Sequence, residues 1–197
     1  MQLRTFVVEI MNVRLFFGEL DVLLQHYSTW KRLIKATAWM IRFKQYIMLK
    51  FSGKESSYPH PSCSFLTVED TDAASLDIVR FAQREVFPEV RNKLKDYDAF
   101  PNITHQGSSI GKCCPNALHK LKPISVRGLL RFGGRLQNSP LNVDAKHPFV
   151  LPKRHHVTDL IIRHYHLKVG HCGTQCALAA TRERFWIVHG HSTVHHT

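Results

Sequence analysis

At 197 residues the chain is long enough to bury a sizeable core, and 44% hydrophobic with 21% charged residues excludes a purely disordered tail. Its 27 Lys and Arg against 15 Asp and Glu leave a net charge of +12, which points to polyanionic partners, with plain solubility as the competing explanation. The five cysteines (Cys63, Cys113, Cys114, Cys172 and Cys176) form no disulfide framework. The apolar opening is interrupted by Arg4, Glu9 and Arg14, so it reads neither as a cleavable signal nor as a membrane span. An intracellular home, in nucleus or cytoplasm, is the expectation.

The charge is uneven. Residues 1–54 carry nine basic and three acidic side chains, and residues 55–119 carry six and nine. Residues 120–197 carry twelve basic side chains against Asp144, Asp159 and Glu183 alone, and ten of the fourteen histidines lie between His147 and His196. The polyanion-facing surface is therefore expected near the C-terminus.

Taken in chain order, residues 1–51 are an N-terminal segment whose first clear element is a helix starting near Ser28 and Thr29, either of which can cap it. Trp30, Leu33, Ile34, Thr37, Ala38, Ile41, Met48 and Leu49 recur at roughly helical spacing, with Lys31, Arg32, Lys35, Arg42 and Lys44 on much of the remaining surface. Such a helix either faces a core or lies on a membrane surface. The Ser- and Pro-rich stretch 52–66 reads as a linker. In 67–95, Thr67 caps a second helix with Asp70 in its first turn, and Pro88 marks that helix's end or a kink. Residues 96–120 read as a loop.

Within 121–153, GLLRFGGRL (128–136) and SPLNVDAKHPFVLPK (139–153) suggest two short strands in a small antiparallel β element, with Gly133-Gly134 as a bulge or turn. Residues 154–197 then read as a helix over Val157–His166, a break at Gly170, and a helix over Thr174–Arg184 ahead of Phe185-Trp186-Ile187. The expected class is mainly α with that small β element.

The informative constellation is HLKVGH. His166 falls at the end of one helix and His171 in the turn before the next, which puts two imidazoles on one corner. That arrangement suits a tetrahedral Zn²⁺ still needing two ligands, while surface or capping histidines are the competing explanation. Cys172 adjoins His171 too tightly to converge with it easily, and Cys176 faces either core or solvent. Weak metal binding by the terminal histidines is a further alternative. Arg131, Arg135, Lys146, Lys153, Arg154 and Arg163 form the basic set for phosphate contacts in DNA or RNA, against the plainer reading of a solvated face. Cys113, Cys114 and His119 lack paired spacing and are not assigned a metal.

The run from His147 to Gly190 resembles the integrase N-terminal region of BEL/Pao-type long-terminal-repeat retrotransposons. The residues that carry the likeness are the His-Pro-x-x-Leu-Pro stretch at 147–152, Tyr165-His166, Gly170-His171-x-Gly173 and Phe185-Trp186-Ile187. Upstream, STWKRLIKATAWMIRF, LTVEDTDAASLDIVRFAQREVFP and GLLRFGGRL resemble the stretch between ribonuclease H and integrase in the same polyprotein, so that the likeness spans roughly residues 24–191. Residues 1–20 have no counterpart.

The resemblance implies that His166 and His171 are the histidines of a His-His-Cys-Cys zinc site in a helical zinc-binding module. It also implies a Cys-x-x-Cys pair after Phe185-Trp186-Ile187. This sequence has none, and it carries His189, His191, His195 and His196 where the family has arginines. The module is therefore expected to be truncated. The chain is expected not to be an enzyme, because the family's carboxylate core lies beyond the module. What the resemblance leaves is nucleic-acid binding or association with integrase subunits, without a membrane. A host-recruited helical interaction module, or a transposon-derived reading frame with no role, is the alternative.

Overall fold

The computed structural model describes residues 24–52, 65–94, 96–97, 118, 120–133 and 139–194. Its first long helix, α1, runs Trp30–Ser52, and α2 runs Val68–Val86. The helix expected from the apolar spacing is thus present. Among the described residues Trp30, Leu33, Thr37 and Ala38 are its buried positions, whereas Met48, expected on the same apolar side, is exposed. The entry to α2 is a reciprocal capping box: the Asp70 N–H donates to Thr67 Oγ1 at 3.2 Å, and the Thr67 N–H donates to Asp70 Oδ2 at 3.0 Å. Asp70 also pairs with Arg42 of α1 at 3.2 Å, and Arg42 donates to the Phe65 carbonyl at 2.8 Å. One carboxylate so fixes the start of α2 against α1.

The chain divides into two compact units, Met1–Ile78 and Val79–Thr197, and the division falls inside α2. In the second unit α2 stops at Val86, and Pro88 opens a new short helix, α3 (Pro88–Lys93). Proline at the first helical position lacks only an N–H that has no intrahelical partner there anyway. The residues expected as a β extension and those expected as a helical module belong to this one unit.

The unit is built on a five-stranded sheet in the order β1 (Asp96–Tyr97), β2 (Ile124–Val126), β3 (Leu129–Arg131), β4 (Phe149–Leu151) and β5 (Phe185–Ile187). The sheet is mixed, which corrects the antiparallel expectation. β2/β3 and β3/β4 are antiparallel, whereas β1/β2 and β4/β5 are parallel. The parallel β4/β5 edge arises because these strands are joined through two helices, α5 (His156–Lys168) and α6 (Gly173–Arg182), and neighbouring parallel strands need such a crossover. Phe185-Trp186-Ile187 is the strand that closes it, in register with Phe149, Val150 and Leu151.

A hairpin that the sequence reading did not propose joins β2 to β3. Val126 pairs with Leu129, and the two residues between them, Arg127 and Gly128, both have left-handed φ, 52° and 70°. This is the pattern of a two-residue primed turn. At Gly133 an added Cβ would collide with the Lys122 carbonyl oxygen, so the close approach of the backbone there demands glycine. Gly134 lies outside the described residues. The second expected strand, 139–153, is reduced to β4, because Val143–Lys146 form a helical turn, α4.

Phe87, Val90, Leu118, Leu130, Val150 and Val188 form one buried cluster in this unit. β4 is buried at all three residues, as for a strand covered on both faces. Gln83 of α2 is fully buried among these groups: its amide accepts from the Leu130 N–H at 2.8 Å and donates to the Leu130 and Val150 carbonyls at 2.9 and 2.7 Å. A side-chain amide thereby bridges β3 and β4, whose own ladder pairs only Arg131 with Phe149. Among the described residues no helix is long and apolar enough to cross a membrane.

Candidate functional site

Helix α5 carries chemistry at both ends. Its C-terminal end stops in a Schellman arrangement: the Gly170 N–H donates to the Leu167 carbonyl at 3.2 Å, and the His171 N–H donates to the His166 carbonyl at 3.2 Å. Gly170 has φ +64° and His171 φ +60°. The first is free for glycine; the second is a conformation that few side chains adopt, though histidine is among the tolerated ones. This motif places a contact between its third-last helical residue and the second residue past the cap, and here those residues are His166 and His171. Their ring centroids stand 4.7 Å apart at 78°.

Two imidazoles on one zinc, each with Zn–N of roughly 2.0–2.1 Å, have centroids about 5 Å apart, a separation close to that of this pair. Among the described residues no further ligands stand beside it. Cys172 and Cys176 are exposed, and among the described residues no group of three or more His, Cys, Asp or Glu is placed to hold a metal. His195 and His196 lie outside the described residues, as do Cys113, Cys114 and His119.

At the other end of α5, Lys153, Arg154 and Arg163 line a groove of about 620 Å³ together with His155, His156 and Asp159, and Ser192 and Thr193 of α7 (Gly190–Val194) complete the wall. His155 is the N-cap of α5: its Nδ1 accepts the Val157 N–H at 3.1 Å, so its Nε2 carries the proton and faces Glu85 Oε2 at 3.1 Å. Below it, the buried Thr158 hydroxyl donates to the Pro152 carbonyl at 2.9 Å. Burial pushes the Asp159 carboxyl above the usual carboxylate range, against the opposing pull of Arg163, His156 and His155. Lys153 and Arg154 have no ion-pair partner among the described residues.

The expected phosphate set therefore separates. Lys153, Arg154 and Arg163 meet at one groove. Arg131 belongs to the fold: its Nη1 donates to Asp144 at 2.8 Å and to the His147 carbonyl at 3.1 Å, and its guanidinium stacks 3.7 Å over the Phe149 ring. Burial lowers its pKa while Asp144 opposes the shift. Lys146 lies in the last turn of α4, and Arg135 is outside the described residues. His147, one of the ten C-terminal histidines, is buried, with Nδ1 2.9 Å from the Phe132 carbonyl oxygen. Sequence reasoning gave no role to His155 or His156, although both directly follow Arg154 just before a helix.

Comparison with protein-family models, with curated proteins and with solved structures gives no match.

Proposed function

We propose that this chain is the connecting region and integrase-type zinc-binding segment of a BEL/Pao-like retrotransposon polyprotein, and that its activity is nucleic-acid binding rather than catalysis. The observation that carries the reading is the convergence of His166 and His171 across the α5–α6 corner at 4.7 Å. Support comes from the groove at the other end of α5, where Lys153, Arg154 and Arg163 gather. His166 and His171 supply two ligands, and among the described residues no third His, Cys, Asp or Glu is grouped with them. Zinc held this way leaves the rest of its shell to water and contributes little folding energy.

Two measurements test the reading. Zinc titrated against a chelating dye should show weak binding that His166→Ala and His171→Ala each remove; unchanged binding in both variants overturns the metal assignment. Duplex DNA affinity should fall linearly on logarithmic axes as salt rises, because phosphate contacts release counterions. Salt-insensitive binding, or none, overturns the nucleic-acid part.

A second reading, a helical protein-interaction module, is favoured by one feature. Trp39, Phe43 and Met48 of α1 are 39%, 62% and 54% exposed. Trp39→Ala with Phe43→Ala would abolish partner capture under that reading, yet leave the salt-dependent DNA affinity unchanged.

A further inference from the structure

We infer that the groove at the start of α5 takes the terminal phosphate of a nucleic-acid strand. The inference deepens the nucleic-acid reading and rests on it. Its first support is shape: the cavity of about 620 Å³ has room for a nucleotide, and it is a recess between the first turns of α5 and the short helix α7. A strand end can enter such a recess, whereas a phosphate inside a duplex is held against the outer surface by its neighbours on both sides.

The second support is lining chemistry. Small-molecule pockets are ordinarily lined mostly by apolar and aromatic side chains. Among the described residues this one is lined by cations, imidazoles, hydroxyls and a single carboxylate, with no aliphatic or phenyl side chain. Such a lining has little to offer an apolar ligand and much to offer a compact anion.

The third support is which of these groups are already engaged. The Ser192 and Thr193 hydroxyls donate to the His189 carbonyl at 3.0 and 3.1 Å, so they form wall and not donors. His155 is spent on the Val157 N–H and on Glu85. Recognition therefore falls to Lys153 and Arg154, which have no ion-pair partner among the described residues, while Arg163 and His156 act on the charge of Asp159. A terminal phosphate carries more charge than an internal diester and exposes three oxygens, which suits a point-charge ammonium beside a forked guanidinium. Asp159 sets a threshold: a weakly charged or neutral ligand gains too little from the cations to displace their water.

The test uses the full chain and fluorescence anisotropy with one single-stranded oligonucleotide prepared with a 5′-phosphate, with a 3′-phosphate, or with hydroxyls at both ends. The expected result is binding about tenfold tighter to at least one phosphorylated form, the size of one charge-assisted hydrogen bond. Inorganic phosphate should erase that preference without weakening the hydroxyl form. Lys153→Ala with Arg154→Ala should equalise the three affinities, and Lys153→Gln with Arg154→Gln should do the same if the alanine pair disturbs folding. Equal, measurable affinities for all three forms of the oligonucleotide in the unaltered chain overturn the inference and leave the nucleic-acid reading standing. Absence of binding to any form overturns both.

Discussion

The two ends of α5 use the same residue type for opposite purposes. At the N-terminal end His155 is consumed by the fold, its two ring nitrogens committed to the Val157 N–H and to Glu85. At the C-terminal end His166 and His171 are brought together by the backbone of a helix stop, edge to face, with the second of them exposed. A histidine-rich segment is thus not one functional unit. What each ring does is decided by whether a backbone donor lies within reach. The first turn of a helix has orphan N–H groups to offer an imidazole, and the last turn has only carbonyls. A ring at the C-terminal end keeps a nitrogen lone pair for something else, and a metal is the natural acceptor of it.

The widest break in this comparison comes from completing one end. A chain extended by a Cys-x-x-Cys segment should bind one zinc more tightly than the 197-residue chain, by a factor on the order of a thousand, because two thiolates close the tetrahedral shell. Competition with a calibrated chelator reads this directly. Equal affinities would mean that His166 and His171 are a helix-stop contact and nothing more.

Next in size is a change that should move both ends together. Gln83→Leu removes the amide that satisfies the Leu130 N–H and the Leu130 and Val150 carbonyls beneath the crossover. With buried backbone groups left unpaired at roughly 1–3 kcal/mol each, the cost should be about 3 kcal/mol or more in chemical denaturation. A loss below about 1 kcal/mol would show that water or repacking replaces the amide, as neutral exchange of buried hydrogen-bonding groups allows.

Two smaller changes separate the ends. His155→Ala removes a cap and should cost about 1 kcal/mol. Gly170→Ala, at φ +64° with open space around the new methyl, should cost a similar ~1–2 kcal/mol through backbone strain alone. Only the second should also weaken zinc binding, since only it disturbs the turn that presents His171. If His155→Ala weakens zinc equally, the two ends are coupled and the contrast fails.

The smallest expected effect is on stability and the clearest on salt. Lys153→Ala with Arg154→Ala should leave the unfolding midpoint nearly unchanged, since neither side chain has an ion-pair partner among the described residues. The logarithmic salt dependence of DNA affinity should become shallower by about two, one for each cation that the variant no longer sets against phosphate charge. The same test applied to Arg131→Ala should give the reverse: a measurable loss of stability and an unchanged salt slope.

Much of this molecule is determined by its sequence at short range. Thr67 and Asp70 lie three apart and close a capping box, the apolar spacing over residues 30–38 marks the buried positions of α1, and Gly170 between two apolar periodic runs ends α5. Each is a relation within about one helical turn, where chain geometry leaves few alternatives. The meeting of His166 and His171 belongs here too, since a helix stop brings residues five apart together without help from the rest of the fold.

What only the tertiary structure decided is everything that depends on which segments become neighbours. That Phe185–Ile187 pairs parallel with Phe149–Leu151 follows from the two-helix crossover and is invisible in either short run. Gln83 looks like a surface residue on an amphipathic helix until β3 and β4 arrive with unpaired backbone groups. Arg131 reads as a phosphate ligand beside glycines, yet Asp144, the His147 carbonyl and the Phe149 ring enclose it. Composition sets how many cations the chain carries, but a cation's role depends on whether an acid or an aromatic face is folded against it, and that is a property of the folded chain alone.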